Sequence, residues 1–428
     1  MSNGLLLARG LVQKDLTFHL DLDAHKVRNP HLLLVGGSGV GKTTLMLSAI
    51  EEMRLKGKTL FVIDFHGDME IAGENHIKYT PRNSPFGVNP FEIEKNEESG
   101  GIKMQTEVIA LMLGSYFIDK LGKKQENILK RLIQDTYSFK GMIDDDVSTW
   151  DLEPPTMSDL YLVSNYVKNM IDAEEEESRD VIQLERLNNL MNSFSPKDLE
   201  SLKEKLDGIE SYIRDGKCDE ALDKIDLSYY RHSSIKRTFD SLYVYLEEIC
   251  TMGIFNGATP RLIRGVNRLD FSAFTQVNKP LIARFLAEFT AQKLFRASMA
   301  SGHYNQRDGD KFNRVLVFDE SKLALPDGKE KSNPYNVMNR IVTESRKYGL
   351  ALFLASQRLD HYSQEILANI YTKIILEIKP TDYKSAATAL GVKEDFLADT
   401  FSTQKGRPAI IETSGNKFSY LIEDLKIA

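Results

Sequence analysis

The stretch Gly36-Gly-Ser-Gly-Val-Gly-Lys-Thr43 decides the fold of this chain. Two glycines enclose four residues directly before a lysine and a threonine, which is the pattern of a phosphate-binding loop. An apolar run at 31–35 precedes it and a helical pattern at 44–50 follows it. In that position the backbone N–H groups and the helix dipole both favour phosphate oxygens. A glycine-rich turn with a solvated lysine is the alternative. The flanking strand and helix favour a nucleoside-triphosphate site.

Within this loop, the Lys42 ammonium is expected to reach the β- and γ-phosphates, and the Thr43 hydroxyl is expected to bind Mg²⁺. ATP and Mg²⁺ are therefore the expected cofactors. Arg407 is added as a nucleotide contact because it directly precedes a late core strand. The residues predicted to bind the nucleotide are Gly37, Ser38, Gly39, Val40, Gly41, Lys42, Thr43, Thr44 and Arg407.

Composition places the chain among ordinary globular proteins. It has 428 residues, of which 42% are hydrophobic and 27% charged. No apolar stretch reaches the roughly 18 residues needed to cross a bilayer, and no export signal is evident. Two cysteines, Cys218 and Cys250, form no disulfide framework, so we expect a cytoplasmic protein. The net charge of −7 excludes a uniformly basic surface but leaves basic pore loops possible.

Strand-like and helical segments alternate in two separate parts of the chain. Between them, residues 99–262 have apolar positions at helical spacing and almost no strand signal. We expect residues 1–98 to hold an N-terminal β element and the first part of an ATPase core, and residues 263–428 to hold the second part. The predicted fold is an α/β P-loop NTPase of RecA/ASCE type, with a mostly parallel sheet, helices on both faces and an inserted all-helical domain.

An acidic pair follows the apolar strand at 315–318. Ligands of α/β proteins bind at the carboxyl ends of such strands. Asp319 is expected to hold Mg²⁺ through its water shell, and Glu320 is expected to orient and deprotonate the attacking water. An acidic pair after a strand is by itself common in proteins. The phosphate-loop pattern at 36–43 is what favours a role in hydrolysis for this pair.

Two further polar residues fit the same chemistry. Gln357 follows the strand at 350–356, where it is expected to contact both the γ-phosphate and the water; the alternative is a surface cap at a strand end. Arg346, on a predicted helix, is expected to reach a neighbouring subunit's γ-phosphate as an arginine finger, and the alternative is a solvated cation. Arg358 and Arg407 are the competing fingers.

Three polar residues, Asp64, His66 and Asp68, follow the strand at 59–64. They either line the nucleotide site or cap their own loop. A metal-ligand role for His66 is not expected, because no Cys or His partners lie at suitable spacing.

The chain resembles the HerA–FtsK superfamily of ring-forming motor ATPases, in particular HerA-like proteins and the ATPases of type IV secretion and conjugation. The segments that carry this resemblance are 36–43 (GGSGVGKT), 63–68 (IDFHGD), 89–91 (NPF), 317–320 (VFDE), 344–349 (ESRKYG) and 355–358 (ASQR).

The resemblance implies a hexamer with ATP sites at subunit interfaces and double-stranded DNA in a central pore. It also implies that Lys42, Thr43, Asp319, Glu320 and Gln357 carry the site and that Arg346 acts in trans. HerA proteins usually begin with a full β-barrel, and about thirty residues here are too few to form one.

Three functions are therefore considered. The leading hypothesis is an ATP-driven, hexameric DNA translocase or helicase. The second is a secretion or conjugation ATPase that handles protein or nucleoprotein. The third is an ATP-gated ring that assembles a partner nuclease or another effector.

Overall fold

The structure is a computed structural model that describes most of the chain in segments. These segments are 5–10, 17–22, 29–95, 100–118, 120–173, 221–222, 224–277, 279–304, 311–325, 337–402, 406–413 and 416–422. Cys218 lies outside the described residues. Two compact units are present, Met1–Tyr79 with Pro260–Ala428, and Thr80–Thr259.

In the first unit, the described strands form one eleven-stranded sheet in the order β2-β1-β11-β10-β9-β3-β8-β7-β4-β6-β5. The strands are β1 (Leu5–Gly10), β2 (Thr17–Leu20), β3 (Leu32–Val35), β4 (Thr59–Asp64), β5 (Asn75–Lys78), β6 (Val266–Asp270), β7 (Arg314–Phe318), β8 (Leu350–Ser356), β9 (Thr372–Leu376), β10 (Pro408–Thr413) and β11 (Asn416–Ile422).

The described α-helices are distributed over both units. They are α1 (Lys42–Leu55), α2 (Gly101–Tyr116), α3 (Lys123–Phe139), α4 (Met157–Ala173), α5 (Ser228–Arg231), α6 (Ser233–Cys250), α7 (Gly253–Asn256), α8 (Ser272–Gln276), α9 (Pro280–Ala300), α10 (Val337–Glu344), α11 (Gln364–Asn369), α12 (Tyr383–Leu390) and α13 (Glu394–Phe401).

Parallel pairing dominates the sheet. Every neighbouring pair from β9 to β5 is parallel, whereas β10, β11, β1 and β2 continue the sheet in antiparallel pairs. All residues of β3 and β8 are buried, as expected for parallel strands covered on both faces. The predicted α/β P-loop fold is confirmed, and the predicted N-terminal β element is the antiparallel extension formed by β1 and β2.

One predicted helix differs in form from the expectation. The pattern at 335–348 predicts one helix, but the described α10 ends at Glu344 and continues as a 3₁₀ turn at Ser345–Tyr348. Gly349 then adopts φ 70°, a left-handed conformation that ends helices and favours glycine. Arg346 therefore lies on the 3₁₀ turn.

The second unit is helical in its described part, with α2 packed on α3 and α4 on α6. It begins at Thr80, earlier than the predicted boundary at 99, because the segment after Thr80 pairs with α7 and with the residues that follow α7. Gly87 N donates to Ala258 O at 3.0 Å, and Val88 N donates to Ile254 O at 2.8 Å. These bonds hold the start and the end of the unit together.

A buried ion pair fixes the loop after β4. The Asp64 carboxylate is fully buried and accepts the backbone N–H groups of His66, Gly67 and Met69. The Arg268 guanidinium donates to the same carboxylate at 3.0 Å and to Glu74 at 2.8 Å. Asp64 therefore caps its own loop, the structural alternative of the two considered from sequence.

We predict that Asp64→Ala lowers the free energy of unfolding by about 3 kcal/mol, because it removes the acceptor of three N–H groups and one of the two carboxylates that pair with the buried Arg268 guanidinium. Urea denaturation followed by circular dichroism measures this loss. Arg54→Ala, which breaks the exposed Arg54–Glu51 pair, is the control and should leave the midpoint near that of the wild type. Equal midpoints for the two variants would contradict the prediction.

Candidate functional site

The phosphate-loop segment connects β3 to α1 and is tied to the strands on both sides of β3. Gly36 N donates to Ser356 O at the end of β8, and Gly37 N donates to Glu377 O just after β9. A Cβ atom at Gly36 would lie 2.8 Å from Leu376 Cβ, so only glycine fits there. Gly41 has φ 96°, which also requires glycine. The loop is therefore shaped by its two outer glycines.

Lys42 is the cation of this site. Its Nζ donates to Gly36 O at 2.9 Å and to Gly37 O at 2.7 Å, so the ammonium lies over the loop. Burial lowers the pKa of Lys42, while the carboxylates of Glu320 and Asp319 act on the same pKa in the opposite direction. The loop and the acidic pair thus lie within electrostatic range of each other.

The acidic pair follows β7 at the carboxyl edge of the sheet. Asp319 is buried and Glu320 is partly exposed. Burial raises the pKa of Asp319 to about 6, with further increases from Asp68 and Asp64 and an opposing effect of His66. A nearby cation favours the ionised carboxylate, so this group is suited to hold a divalent ion.

The exposed residues His66 and Asp68 lie near the same edge, because both act on the pKa of Asp319. Their loop follows β4, which pairs with β7. Asp64 fixes this loop, and the side chains of His66 and Asp68 contribute to the field around Asp319.

Gln357 is exposed and follows β8, the strand that lies between β3 and β7. Its position is therefore between the phosphate loop and the acidic pair. The structure brings together at one sheet edge the loop with Lys42, Thr43 and Thr44, the pair Asp319 and Glu320, and Gln357.

Arg407 also belongs to this edge. It precedes β10, and a Cβ atom at Gly41 would lie 3.3 Å from its guanidinium nitrogen. A narrow cleft beside the loop is lined by Arg407 together with Val40, Thr44 and Leu376. This position suits a contact with a nucleotide in the same subunit.

Arg346 lies at the opposite edge of the sheet. It is exposed, lies four residues before β8 and acts electrostatically on buried His31, which directly precedes β3. The seven residues of β8 span about 23 Å, so Arg346 is remote from the loop of its own chain.

Arg358 is held within its own chain. Its guanidinium makes a two-pronged contact with Asp360, at 3.0 and 2.5 Å, and lies 3.6 Å from Asp382. Using it as a finger would require breaking these ion pairs.

Sequence reasoning missed the buried hydroxyls behind the site. Ser321 Oγ and Tyr362 Oη are 2.7 Å apart, and both side chains are buried. Ser321 directly follows the acidic pair, but no spacing pattern marks Tyr362 as its partner.

These residues fit a nucleotide with Mg²⁺. The first turn of α1 has N–H groups without helical acceptors, Lys42 carries a positive charge, and Thr43 and Asp319 have oxygen atoms that could serve a metal ion. Within the described segments, no group of three or more His, Cys, Asp or Glu side chains is arranged to hold a metal. An ion here would need phosphate or water oxygens as well, which is typical of Mg²⁺. In the same segments, no helix has the length and apolarity required to span a membrane.

Structural comparison confirms the fold. VirB4 of Thermoanaerobacter pseudethanolicus is similar with a TM-score of 0.66 and 14% identity over 99% of this chain and 97% of that chain. The plasmid coupling protein TrwB, solved in complex with ADP and Mg²⁺, has a TM-score of 0.52 and 12% identity over 93% of this chain and 86% of that chain. At such identities the likeness concerns the fold alone.

Sequence comparison gives shorter but closer matches. The DNA double-strand break repair helicase HerA of Pyrococcus furiosus is 31% identical over 100 residues, 23% of this chain and 18% of the relative. The protein of the same name from Saccharolobus solfataricus is 32% identical over 108 residues, 25% of this chain and 21% of the relative. Each match spans about a fifth of the relative's length.

A family model described as Helicase HerA, central domain, matches residues 10–249, more than half of the chain. This match covers the phosphate loop, the Asp64 loop and most of the helical unit, and it confirms the resemblance expected from the sequence. The chain therefore belongs to the HerA central-domain helicase family.

Proposed function

We propose that this protein is a Mg²⁺-dependent ATPase that drives a ring-shaped motor. The observation that carries the proposal is the convergence of β3, β8 and β7 on one sheet edge. There Lys42 lies within electrostatic range of both Asp319 and Glu320. This edge supplies cationic, anionic and amide groups in the combination that phosphoryl transfer to water requires.

Each residue has a distinct part in the proposed reaction. The loop N–H groups, Lys42 and Arg407 bind the phosphates, and Thr43 and Asp319 would hold Mg²⁺. When bound, Mg²⁺ would neutralise charge on the phosphate oxygens. Glu320 accepts a proton from the attacking water, and Gln357 orients that water.

We further propose a homohexamer that moves double-stranded DNA through a central pore. Two curated relatives are named as DNA repair helicases, and TrwB is named as a conjugative coupling protein. The position of Arg346 supports assembly, because a finger at the edge remote from its own loop serves only a neighbouring subunit.

A second candidate is an ATPase of secretion or conjugation type. The likeness to VirB4 extends over 99% of this chain and so includes the helical unit. In this alternative the helical unit docks a protein partner, whether a nuclease, another effector or a secretion complex, and DNA has little effect on hydrolysis.

We predict that Lys42→Ala reduces ATP hydrolysis by at least about a hundredfold and weakens nucleotide binding, because it removes the cation from the loop. Steady-state phosphate release and titration with a fluorescent ATP analogue measure the two effects. Lys56→Ala is the matched control, since Lys56 directly follows α1 but pairs with Asp21 and Glu52. Substantial hydrolysis by Lys42→Ala would refute the proposed site.

We predict that linear double-stranded DNA stimulates hydrolysis several-fold at low salt and less at high salt, because contacts to the DNA backbone release counterions. Phosphate release at two salt concentrations, with mass photometry on the same sample, measures the stimulation and the number of subunits. If DNA does not change the rate of hydrolysis at either salt concentration, the second candidate is favoured. A monomeric active species would contradict the ring.

We predict that Arg346→Ala lowers hydrolysis by about a thousandfold without preventing assembly, because it removes the finger from the adjacent site. Mixing it with Glu320→Gln subunits should restore part of the activity, since some interfaces then combine an intact Glu320 with an intact Arg346. Lys347→Ala, also exposed on the 3₁₀ turn, is the control. If the mixed subunits recover no ATP hydrolysis, that result would argue against action of Arg346 in trans.

A further inference from the structure

Backbone pairing between β7 and β8 ends before the residues of the proposed hydrolytic step. The last paired residues are Phe318 and Leu354. Glu320 and Gln357 lie two and three residues further along their chains. Some other interaction must fix the two segments relative to each other, because positioning a water molecule requires a stable distance between these side chains.

A buried chain of hydroxyl groups spans this gap. Ser321 Oγ donates to Ala355 O at 2.8 Å and lies 2.7 Å from Tyr362 Oη. His361, the residue before Tyr362, places its Nδ1 2.5 Å from Ser356 Oγ. Ser321 and Ser356 have no exposed surface, and Tyr362 has 3%.

Each hydroxyl has one proton, and this decides which group donates and which accepts in the series of hydrogen bonds. The single proton of Ser321 is donated to Ala355 O, so the Tyr362 hydroxyl donates to Ser321. Burial raises the pKa of Tyr362, which keeps its hydroxyl protonated as a donor. The hydroxyl protons of Ser321 and Tyr362 therefore both have an acceptor.

We propose that Tyr362 is a positioning residue that couples the two halves of the hydrolytic site. Its hydroxyl binds Ser321, which follows Glu320, and the adjacent His361 contacts Ser356, which precedes Gln357. This fixes the general base and the water-orienting amide relative to each other. The inference rests on the proposed function for its effect on hydrolysis, whereas the coupling itself is a property of the fold.

The test is Tyr362→Phe in the full chain, which removes the hydroxyl and keeps the ring. We expect kcat for ATP hydrolysis to fall between about ten- and a hundredfold while KM changes less than about twofold. The matched control is Tyr137→Phe, which removes another buried hydroxyl, donated to Phe91 O at 2.7 Å in the second unit. Tyr137→Phe should lower the melting temperature by about as much as Tyr362→Phe does, and it should leave kcat unchanged.

Coupling to Gln357 is tested by the double variant. If Tyr362 acts by positioning Gln357, then Tyr362→Phe should lower kcat by less than about twofold in a Gln357→Ala background. A full additional loss there, or an unchanged kcat in the single variant, would overturn the inference.

Hydrogen exchange gives a readout independent of activity. In Tyr362→Phe, amides of the segments at 319–323 and 355–362 should exchange faster, whereas Tyr137→Phe should leave both segments unchanged. Absence of hydrolysis by the wild type would defeat the proposed function. Unchanged exchange in Tyr362→Phe would defeat the inference whether or not the wild type hydrolyses ATP.

Discussion

The parallel register of three central strands is the constraint on which the site depends. Val35 at the end of β3 pairs with Ser356 of β8, and Phe318 at the end of β7 pairs with Leu354 of the same strand. Parallel strands end at the same edge, so this register brings the loop, the amide and the acidic pair together. A shift by one residue would turn these side chains to the other face of the sheet. Complete burial of β3 and β8 makes such a shift costly.

The negative charge at this edge of the sheet is not fully balanced by nearby positive charge. Asp319 is buried near Asp68, Asp64 and Glu320, which raises its pKa, and Lys42 is the cation that acts electrostatically with the acidic pair. Asp64 contributes to this negative field while its own carboxylate is paired with Arg268. A divalent ion would complete the balance, which gives a physical reason for the dependence of the proposed reaction on Mg²⁺.

The two edges of the sheet carry different residues of the proposed ATPase site. The carboxyl edge holds the residues proposed to bind the nucleotide, including Arg407 beside the loop. The opposite edge holds Arg346 on the turn before β8. A strand length separates the two, so one chain cannot bring them together. In the proposed assembly of several chains, both edges would contribute to one reaction.

The sequence by itself determined the fold class, the strand that carries the loop and the acidic pair at a strand end. These features follow from local patterns, namely glycine spacing, apolar runs and the residues that end them. It also placed Gln357 at a strand tip, whereas it left Asp64 undecided between two roles and gave no sign of Tyr362. Only the tertiary structure decided those last two, because Asp64 meets Arg268 from another strand and Tyr362 joins segments of two neighbouring strands. Local spacing does not encode a contact between residues that only the fold brings together.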